Sequence, residues 1–288
     1  MGFSDFANKL GSRLRTTLTK PSFEAVEELR SLTDFGFYTE LVRRAAANRR
    51  VFEGFKHNPI YRKVLEHVSQ EQGARYLDQI EKKWPELLKE IERYKINDRC
   101  GNPIRFRYPR IGEISPTTLR YLKVCCDLRE LFGSLDGMNL AEIGVGYGGQ
   151  FLLSDVAWNL GSWTLFDLDP VLQLTNRYLE CHLIKSVYRP TTLNRFDCRE
   201  AQFDLAISNY AFSELPRALQ LAYIGKVLRK AKRGYMTMNS GKQTGSSRHM
   251  SLEELRECLP GLREFAEVPL TAKDNYVLVW GQLDPRGG

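Results

Sequence analysis

The stretch EIGVGYGGQ, residues 142–150, decides the fold that this sequence predicts. It joins a short apolar strand, NLAEI at 139–143, to a segment with helical periodicity at 149–160. Glycine lets the backbone turn tightly, and its missing side chain lets a ligand approach the amide groups at a helix N-terminus. Four glycines in six positions exceed what a tight turn needs, so the pattern predicts a ligand-binding loop.

Strands and helices alternate on both sides of this loop. Further strands are predicted at WTLFD (163–167), FDLAIS (203–208), GYMTMN (234–239), about 263–268 and YVLVW (276–280). Strands that alternate with crossover helices form a parallel sheet. The last two strands have too short a link for a parallel crossover, so they are predicted to pair as an antiparallel hairpin. The sequence therefore predicts an α/β doubly wound domain with an antiparallel last strand.

The helices of this domain are marked by capping residues. Ser115 and Pro116 predict a helix that runs to about residue 132, and Ser251 with Glu254 forms a capping box. A further helix is predicted from Glu214, with its C-terminal stop at Gly234.

The first 114 residues are charge-rich and follow helical periodicity. An apolar stripe flanked by basic residues runs through 3–18. Such an amphipathic helix can pack on its own domain or bind an anionic membrane surface. A second helical repeat covers 77–91, where Pro85 opens a new first turn. We therefore expect a helical cap and substrate region at 1–114 and a cofactor-binding domain at 115–288.

Composition excludes several classes of protein. The chain has 288 residues, and 42 Lys+Arg against 35 Asp+Glu give a formal charge of +7, which permits an anionic partner without requiring one. No apolar run approaches the ~18–20 residues that a membrane span needs. The N-terminal sequence lacks the apolar core of a secretory signal, and the six cysteines form no CxxC pair. A cytoplasmic protein with reduced thiols is the expectation.

The glycine loop alone leaves two cofactors open. Gly144, Gly146 and Gly149 satisfy G-x-G-x-x-G, and Asp167 lies 18 residues beyond Gly149, which also fits a dinucleotide fingerprint. Glu142, two residues before the first glycine, favours S-adenosylmethionine (SAM), because a carboxylate suits an ammonium and a sulfonium but not a pyrophosphate.

Two further features favour SAM. The amides of the loop can bind the methionine carboxylate at the helix N-terminus. The terminal antiparallel hairpin also departs from an all-parallel dinucleotide sheet. With either cofactor, the carboxylate that ends the second strand would accept the ribose hydroxyls, with Asp167 as the first choice and Asp169 as the second.

Four segments carry a resemblance to a known family: ISPTTLRY (114–121), EIGVGYGGQ (142–150), FDLDPVLQL (166–174) and SNYAFSEL (208–215). They resemble the bacterial sugar O-methyltransferase family of polysaccharide biosynthesis, within the class I SAM-dependent methyltransferases. The resemblance covers about residue 97 to the end. It implies a Rossmann-like seven-strand sheet, SAM as cofactor, and transfer of a methyl group to a sugar hydroxyl in a surface glycan or a nucleotide sugar.

The resemblance also assigns cofactor residues. It places Glu142, Gly144, Gly146 and Gly148 at the methionine end of SAM, Asp167 on the ribose, and Ser208 and Asn209 near the methyl group.

A sugar alcohol loses its proton with difficulty, so a general base is expected. Glu214 is the first candidate, because the turn after the fourth strand faces the methyl group in this fold; an acid in the first turn of a helix is the alternative. His249 is the second candidate, in a Gly/Ser-rich stretch at 240–250. This stretch could form a lid over the acceptor, and the alternative is that His249 is an ordinary loop histidine. Tyr210 is a candidate for stacking on a sugar or adenine ring, and Arg248 for contact with a diphosphate.

Other interpretations stay open. A divalent metal ion suits the chemistry, but no ligand spacing indicates one. SNYAF (208–212) begins like the Asn-Pro-Pro-Tyr motif of amine methylation but lacks both prolines, so a nucleic-acid substrate is not expected. The alternatives are a natural-product O-methyltransferase, an NAD-dependent oxidoreductase and a non-catalytic SAM-binding subunit. The sequence predicts no oligomeric state.

Overall fold

The computed structural model describes residues 36–242 and 248–284 of the chain. The basic amphipathic stripe at 3–18 and the middle of the expected lid at 240–250 lie outside these residues. Within the described ranges, no helix has the length and apolar character needed to cross a membrane.

The helices and strands alternate from residue 116 onward, after a helical first part. In chain order they are α1 Gly36–Ala47, α2 Arg49–Phe52, α3 Pro59–Val64, α4 Gln70–Lys83, α5 Pro85–Lys89, α6 Ile91–Tyr94, β1 Phe106–Tyr108, β2 Gly112–Ile114, α7 Pro116–Phe132, β3 Asn139–Ile143, α8 Gly149–Ala157, β4 Ser162–Phe166, α9 Asp169–Leu179, β5 Val187–Thr191, β6 Leu205–Asn209, α10 Ala211–Glu214, α11 Arg217–Lys226, β7 Gly234–Met238, α12 Leu252–Cys258, β8 Arg263–Ala266 and β9 Tyr276–Trp280. Short 3-10 helices lie at Phe55–His57, Lys95–Asp98 and Leu228–Lys230.

Seven strands form the central sheet in the order β5-β4-β3-β6-β7-β9-β8. The five strands from β5 to β7 run parallel to their neighbours, whereas β9 is antiparallel to both β7 and β8. The predicted α/β sheet with an antiparallel last strand is therefore confirmed. The glycine loop joins β3 to α8 at the carboxyl ends of the parallel strands. Open α/β sheets bind their ligands at this end.

The sequence patterns did not predict β5 or the hairpin of β1 and β2. β5 carries Pro190, and proline removes a ladder hydrogen bond, so the segment did not look like a strand. Proline is tolerated here because β5 lies at the edge of the sheet. The short antiparallel hairpin of β1 and β2 lies inside the region that periodicity described as helical.

The predicted helix between Glu214 and Gly234 is confirmed in its middle part, but both of its bounds are wrong. The chain ends α10 at Glu214, and Pro216 then caps the separate helix α11, which ends at Lys226. Gly234 is instead the first residue of β7. A Cβ added there would lie 2.0 Å from Cη2 of Trp280, so the close approach of this ring requires glycine.

The N-terminal helices and the sheet share one hydrophobic core. The largest buried cluster contains Tyr38 and Leu41 of α1 together with Leu165 and Ile207 of the sheet. Arg177 on α9 also donates from Nη1 to the carbonyl oxygens at the end of α1, at 3.0 Å to Ala45 and 2.7 Å to Ala46. The cap is thus anchored directly to the helix that follows β4.

A buried lysine connects the cap to the glycine loop. Lys56 is fully buried, and its Nζ lies 4.0 Å from the ring centroid of Tyr147 in the glycine loop and 4.6 Å from that of Tyr178 on α9. It donates a hydrogen bond to the Asn97 carbonyl at 2.6 Å. Burial lowers the pKa of Lys56 to about 8.

The turn-rich segment near residue 97 completes this connection. The Asn97 side chain donates to Thr118 Oγ1 at 2.7 Å and to the Tyr147 hydroxyl at 3.2 Å, and it accepts from the Tyr178 hydroxyl at 2.8 Å. Thr118 in turn donates to the buried Asp98 at 2.6 Å. One polar network therefore fixes the start of α7, the glycine loop and α9 relative to the cap.

Two glycine substitutions test the strand assignment of Gly234. Gly234→Ala should destabilise the protein by about 1–3 kcal/mol, because its methyl group overlaps the Trp280 ring. Gly225→Ala is the matched control within α11, where nothing lies within 4 Å of an added Cβ, and it should stabilise by roughly 0.5–1 kcal/mol. Urea unfolding measures both. Equal effects of the two variants would contradict the assignment.

Candidate functional site

Three glycines give the loop after β3 a shape that other residues cannot adopt. Gly144, Gly146 and Gly148 have φ angles of 77°, 57° and 91°, in the left-handed region. A Cβ on Gly144 would lie 2.0 Å from Cβ of Ala211, and one on Gly146 would lie 2.8 Å from Cδ1 of Leu65. The loop is therefore enclosed by the turn after β6 on one side and by the cap on the other.

The two aspartates after β4 have different surroundings. Asp167 accepts hydrogen bonds from the Gly146 amide at 3.0 Å and the Leu168 amide at 2.8 Å, so its carboxylate faces the glycine loop. Asp169 is exposed and forms an ion pair with Arg195. Of the two aspartates, Asp167 is the one that lies against the loop.

The Glu142 carboxyl group is buried near the end of β3, and one of its oxygens lacks a partner. Glu142 is 2% exposed, and its Oε2 has no hydrogen-bond partner among the described residues. Burial raises the pKa of Glu142 well above its ordinary value, the nearby Asp167 charge adds to this, and the Trp163 indole partly offsets it. A cationic ligand would compensate this carboxylate, whereas an anionic one would add to its cost.

Ser208 and Asn209 at the end of β6 differ in what they bind. Ser208 donates to the Ile143 carbonyl at 2.9 Å and accepts from the Phe212 amide at 3.0 Å, so it fixes the end of β6 against the end of β3. Both amide atoms of Asn209 are buried and lack partners in the described part of the chain. An unpaired buried amide costs about 1–3 kcal/mol, so this side chain is poised for a ligand.

Tyr210 lies in a strained backbone conformation directly after β6. Its φ of 68° and ψ of −33° are uncommon for a residue other than glycine. The hydroxyl donates to Glu267, which also accepts from Thr271 at 2.8 Å from N and 2.7 Å from Oγ1. Burial, together with Glu267, raises the pKa of Tyr210. The phenol thus links the turn after β6 to the loop after β8.

Glu214 has the electrostatic character of a proton acceptor. Its Oε1 accepts a hydrogen bond from Nδ2 of Asn239, beyond the end of β7, at 3.0 Å. Burial raises the pKa of Glu214, and the Asn239 hydrogen bond partly offsets the shift. A carboxylate with a raised pKa is a stronger base than an ordinary surface glutamate.

The structure places His249 beside the turn that follows Glu214. Nδ1 of His249 lies 2.9 Å from the Leu215 carbonyl. Because a carbonyl only accepts, Nδ1 carries the proton in this contact, and Nε2 then presents its lone pair. The neighbouring Arg248 is exposed, and its carbonyl accepts from the Arg217 amide at 2.8 Å.

Sequence patterns missed residues that the cap contributes. Tyr38 is 5% exposed, and burial raises its pKa, with the charge of Asp167 adding to the shift. Leu65 covers Gly146. The helical spacing of Tyr38 with the apolar residues of α1 indicates a core position and carries no signal of a site.

The acidic residues do not assemble into a metal centre. Within residues 36–242 and 248–284, no group of three His, Cys, Asp or Glu side chains is placed to hold a metal ion. Asp204 accepts from the Asn139 amide and from Lys232, both at 2.9 Å. Asp204 lies at the amino ends of β3 and β6, whereas Glu214 follows the carboxyl end of β6.

No known protein family matches the chain, and no curated protein matches it. Among solved structures, mitomycin 7-O-methyltransferase is 14% identical with a TM-score of 0.39, covering 50% of this chain and 49% of that one. The pyocyanin biosynthetic protein PhzM is 14% identical with a TM-score of 0.40, covering 57% of each chain. An rRNA methylase from Streptococcus thermophilus is 13% identical with a TM-score of 0.42, covering 57% of this chain and 98% of that one.

The matched region thus spans about half the length of the first two solved structures. Because these sequence identities are low, the functional inference is based on the side chains of this chain.

The unpaired carboxylate of Glu142 should have a measurable effect on stability. Its raised pKa means that the folded state keeps a proton that the unfolded state releases, so stability falls as pH rises above the ordinary glutamate range. Glu142→Gln removes this loss, and we expect it to raise the Tm at pH 8 by about 2–4 °C for each kcal/mol relieved. Its effect at pH 5 should be smaller.

Thermal unfolding of the ligand-free protein at both pH values measures this difference. Glu257→Gln is the control, because Glu257 is exposed on α12. If Glu142→Gln lowers the Tm equally at both pH values, ionisation of Glu142 does not destabilise the folded state.

Proposed function

We propose that the chain is a SAM-dependent methyltransferase that methylates a hydroxyl group, with a sugar hydroxyl of a surface glycan or nucleotide sugar as the acceptor. The observation that carries the cofactor assignment is the buried Glu142 carboxyl group directly before a loop of left-handed glycines, with its Oε2 lacking a partner among the described residues. The O-methylation and the sugar acceptor rest on the resemblance of the segments at 114–121 and 208–215.

The residues around the loop fit SAM. Glu142 would compensate the ammonium and sulfonium charges, and the amides at the N-terminus of α8 would bind the methionine carboxylate. Asp167 would accept the ribose hydroxyls, and the unpaired Asn209 amide would meet the cofactor near its methyl group. In this arrangement Glu142 would oppose the pyrophosphate of a dinucleotide.

When bound, SAM supplies an electrophilic methyl group on a sulfonium. The chain must hold the acceptor oxygen about 3 Å from that carbon, exclude water and remove the hydroxyl proton. Glu214 would accept the proton, because burial raises its pKa and Asn239 holds one carboxylate oxygen. Tyr38 and Leu65 of the cap would exclude water from the glycine loop.

Calorimetry with SAM and with NAD tests the cofactor. We expect SAM to bind with a Kd between about 1 μM and 1 mM, a range typical of enzyme ligands. Glu142→Gln should weaken SAM about tenfold or more, because the isosteric amide carries no charge to meet the cations. Glu257→Gln should bind SAM like the wild type. Binding of NAD without SAM would refute the proposal.

Substitution of Glu214 tests the catalytic step. Glu214→Gln should lower kcat about 10²–10⁴-fold, as expected for loss of a general base, while the Kd for SAM stays within about twofold. Because the pKa of Glu214 is raised, wild-type kcat should increase with pH through that pKa, and the variant should lose this limb.

His249→Gln is compared in the same assay, with labelled SAM and a panel of sugars, nucleotide sugars and phenolic natural products. If His249→Gln loses turnover while Glu214→Gln keeps it, the base is His249. Methylation of the phenols alone would replace the sugar acceptor with a natural product.

A further inference from the structure

A buried arginine lies between the cap and the turn after β6. Arg120, in the second turn of α7, is 8% exposed. Its Nη2 donates to the Leu65 carbonyl at 3.1 Å, and the guanidinium lies 5.3 Å from the ring centroid of Tyr121. Leu65 is the cap residue that covers Gly146, so Arg120 is anchored to the wall of the proposed cofactor site.

Arg120 has no hydrogen-bonded counter-ion in the described part of the chain. Among the described residues, no carboxylate forms an ion pair with it, and its hydrogen-bond partner is a neutral carbonyl. A guanidinium stays protonated in proteins, and burying an uncompensated cation costs several kcal/mol. A buried cation of this kind is stabilised when a ligand of opposite charge binds beside it.

Neither Glu66 nor Glu267 forms an ion pair with Arg120 in the described ranges. Burial raises the pKa of Glu66, and the charge of Arg120 only partly offsets this shift. Glu267 accepts from the Tyr210 hydroxyl and twice from Thr271. These hydrogen bonds hold the Glu267 carboxylate on its own loop.

Arg120 lies near the turn after β6 as well as near the glycine loop, which Leu65 covers. Its charge acts on the hydroxyl groups of Tyr121, Tyr76 on α4 and Tyr210 after β6. Tyr210 directly follows Asn209, where the methyl group is expected, whereas Asp167 lies at the end of β4 on the other side of β3. Arg120 and Glu142 thus place a basic and an acidic group near the same glycine loop.

We propose, on the basis of the methyltransferase function proposed above, that Arg120 binds an anionic group of the acceptor. The acceptor is therefore a hydroxyl compound that also carries a phosphate or a carboxylate, such as a sugar phosphate or a sugar acid. The planar fork of guanidinium donors suits two oxygens of either group, and charge-assisted bonds of this kind are worth about 1.5–3 kcal/mol.

Direct anion binding tests the site without any turnover. The Tm of the full chain is measured in phosphate, in succinate and in chloride at matched ionic strength, since a ligand that binds the folded state raises the Tm. Phosphate or succinate should stabilise the wild type more than Arg120→Gln, and the stronger of the two identifies the anion. Arg107→Gln, at an exposed position on β1, should respond like the wild type. Equal responses of all three proteins would overturn the proposal.

Methyl transfer to matched acceptor pairs provides the second test. Each pair is a sugar phosphate with its parent sugar, or a sugar acid with its amide. The wild type should prefer the anionic member at least about tenfold in kcat/KM, and Arg120→Gln should lose this preference while its Kd for SAM stays unchanged. Arg120→Lys, which keeps the charge but not the fork, should retain part of it.

A wild type that prefers the neutral members, or an Arg120→Gln variant that keeps the preference, would refute the role of Arg120. If the wild type does not bind SAM, the proposed function fails, whereas the anion-dependent Tm shift still decides whether Arg120 binds an anion.

Discussion

The buried ammonium of Lys56 is the constraint on which the site depends. An ammonium without water needs other compensation, and the faces of Tyr147 and Tyr178 with the Asn97 carbonyl supply it. Tyr147 stands between two glycines whose backbone has little stiffness of its own. The cap therefore fixes the loop through one cation, and the shape of the proposed cofactor site depends on residues far earlier in the chain.

Two ionisable groups of opposite type are buried near the glycine loop without an ion pair among the described residues. They are the carboxyl group of Glu142 and the guanidinium of Arg120. Each destabilises the ligand-free protein, because burial without a counter-charge is unfavourable. A cationic cofactor and an anionic acceptor would each restore balance at one of them. The proposed site would then bind its two ligands through groups of opposite charge.

The sequence predicted those elements whose signals are local. The strand at 139–143, the helix behind Ser115 and the capping box of Ser251 and Glu254 were confirmed, because alternation and capping depend on neighbouring residues. β5 was missed because Pro190 is acceptable only at a sheet edge, and the position in the sheet is a property of the whole fold.

The same limit applies to the site. The glycine pattern marked the loop, and the spacing of 18 residues from Gly149 to the end of the next strand marked Asp167. Nothing local distinguishes Lys56 or Arg120 from the many surface cations of a chain with 42 lysines and arginines. Their burial arises from packing of the cap on α7 and α9, which periodicity does not encode.

The core that α1 shares with the sheet means that the cap is not an interchangeable part. Tyr38 and Leu41 lie in one cluster with Leu165 and Ile207, and Arg177 binds the end of α1. Grafting a foreign cap for a new acceptor would disturb the cofactor loop as well. Acceptor range in this scaffold is therefore better altered by single side chains than by exchange of segments.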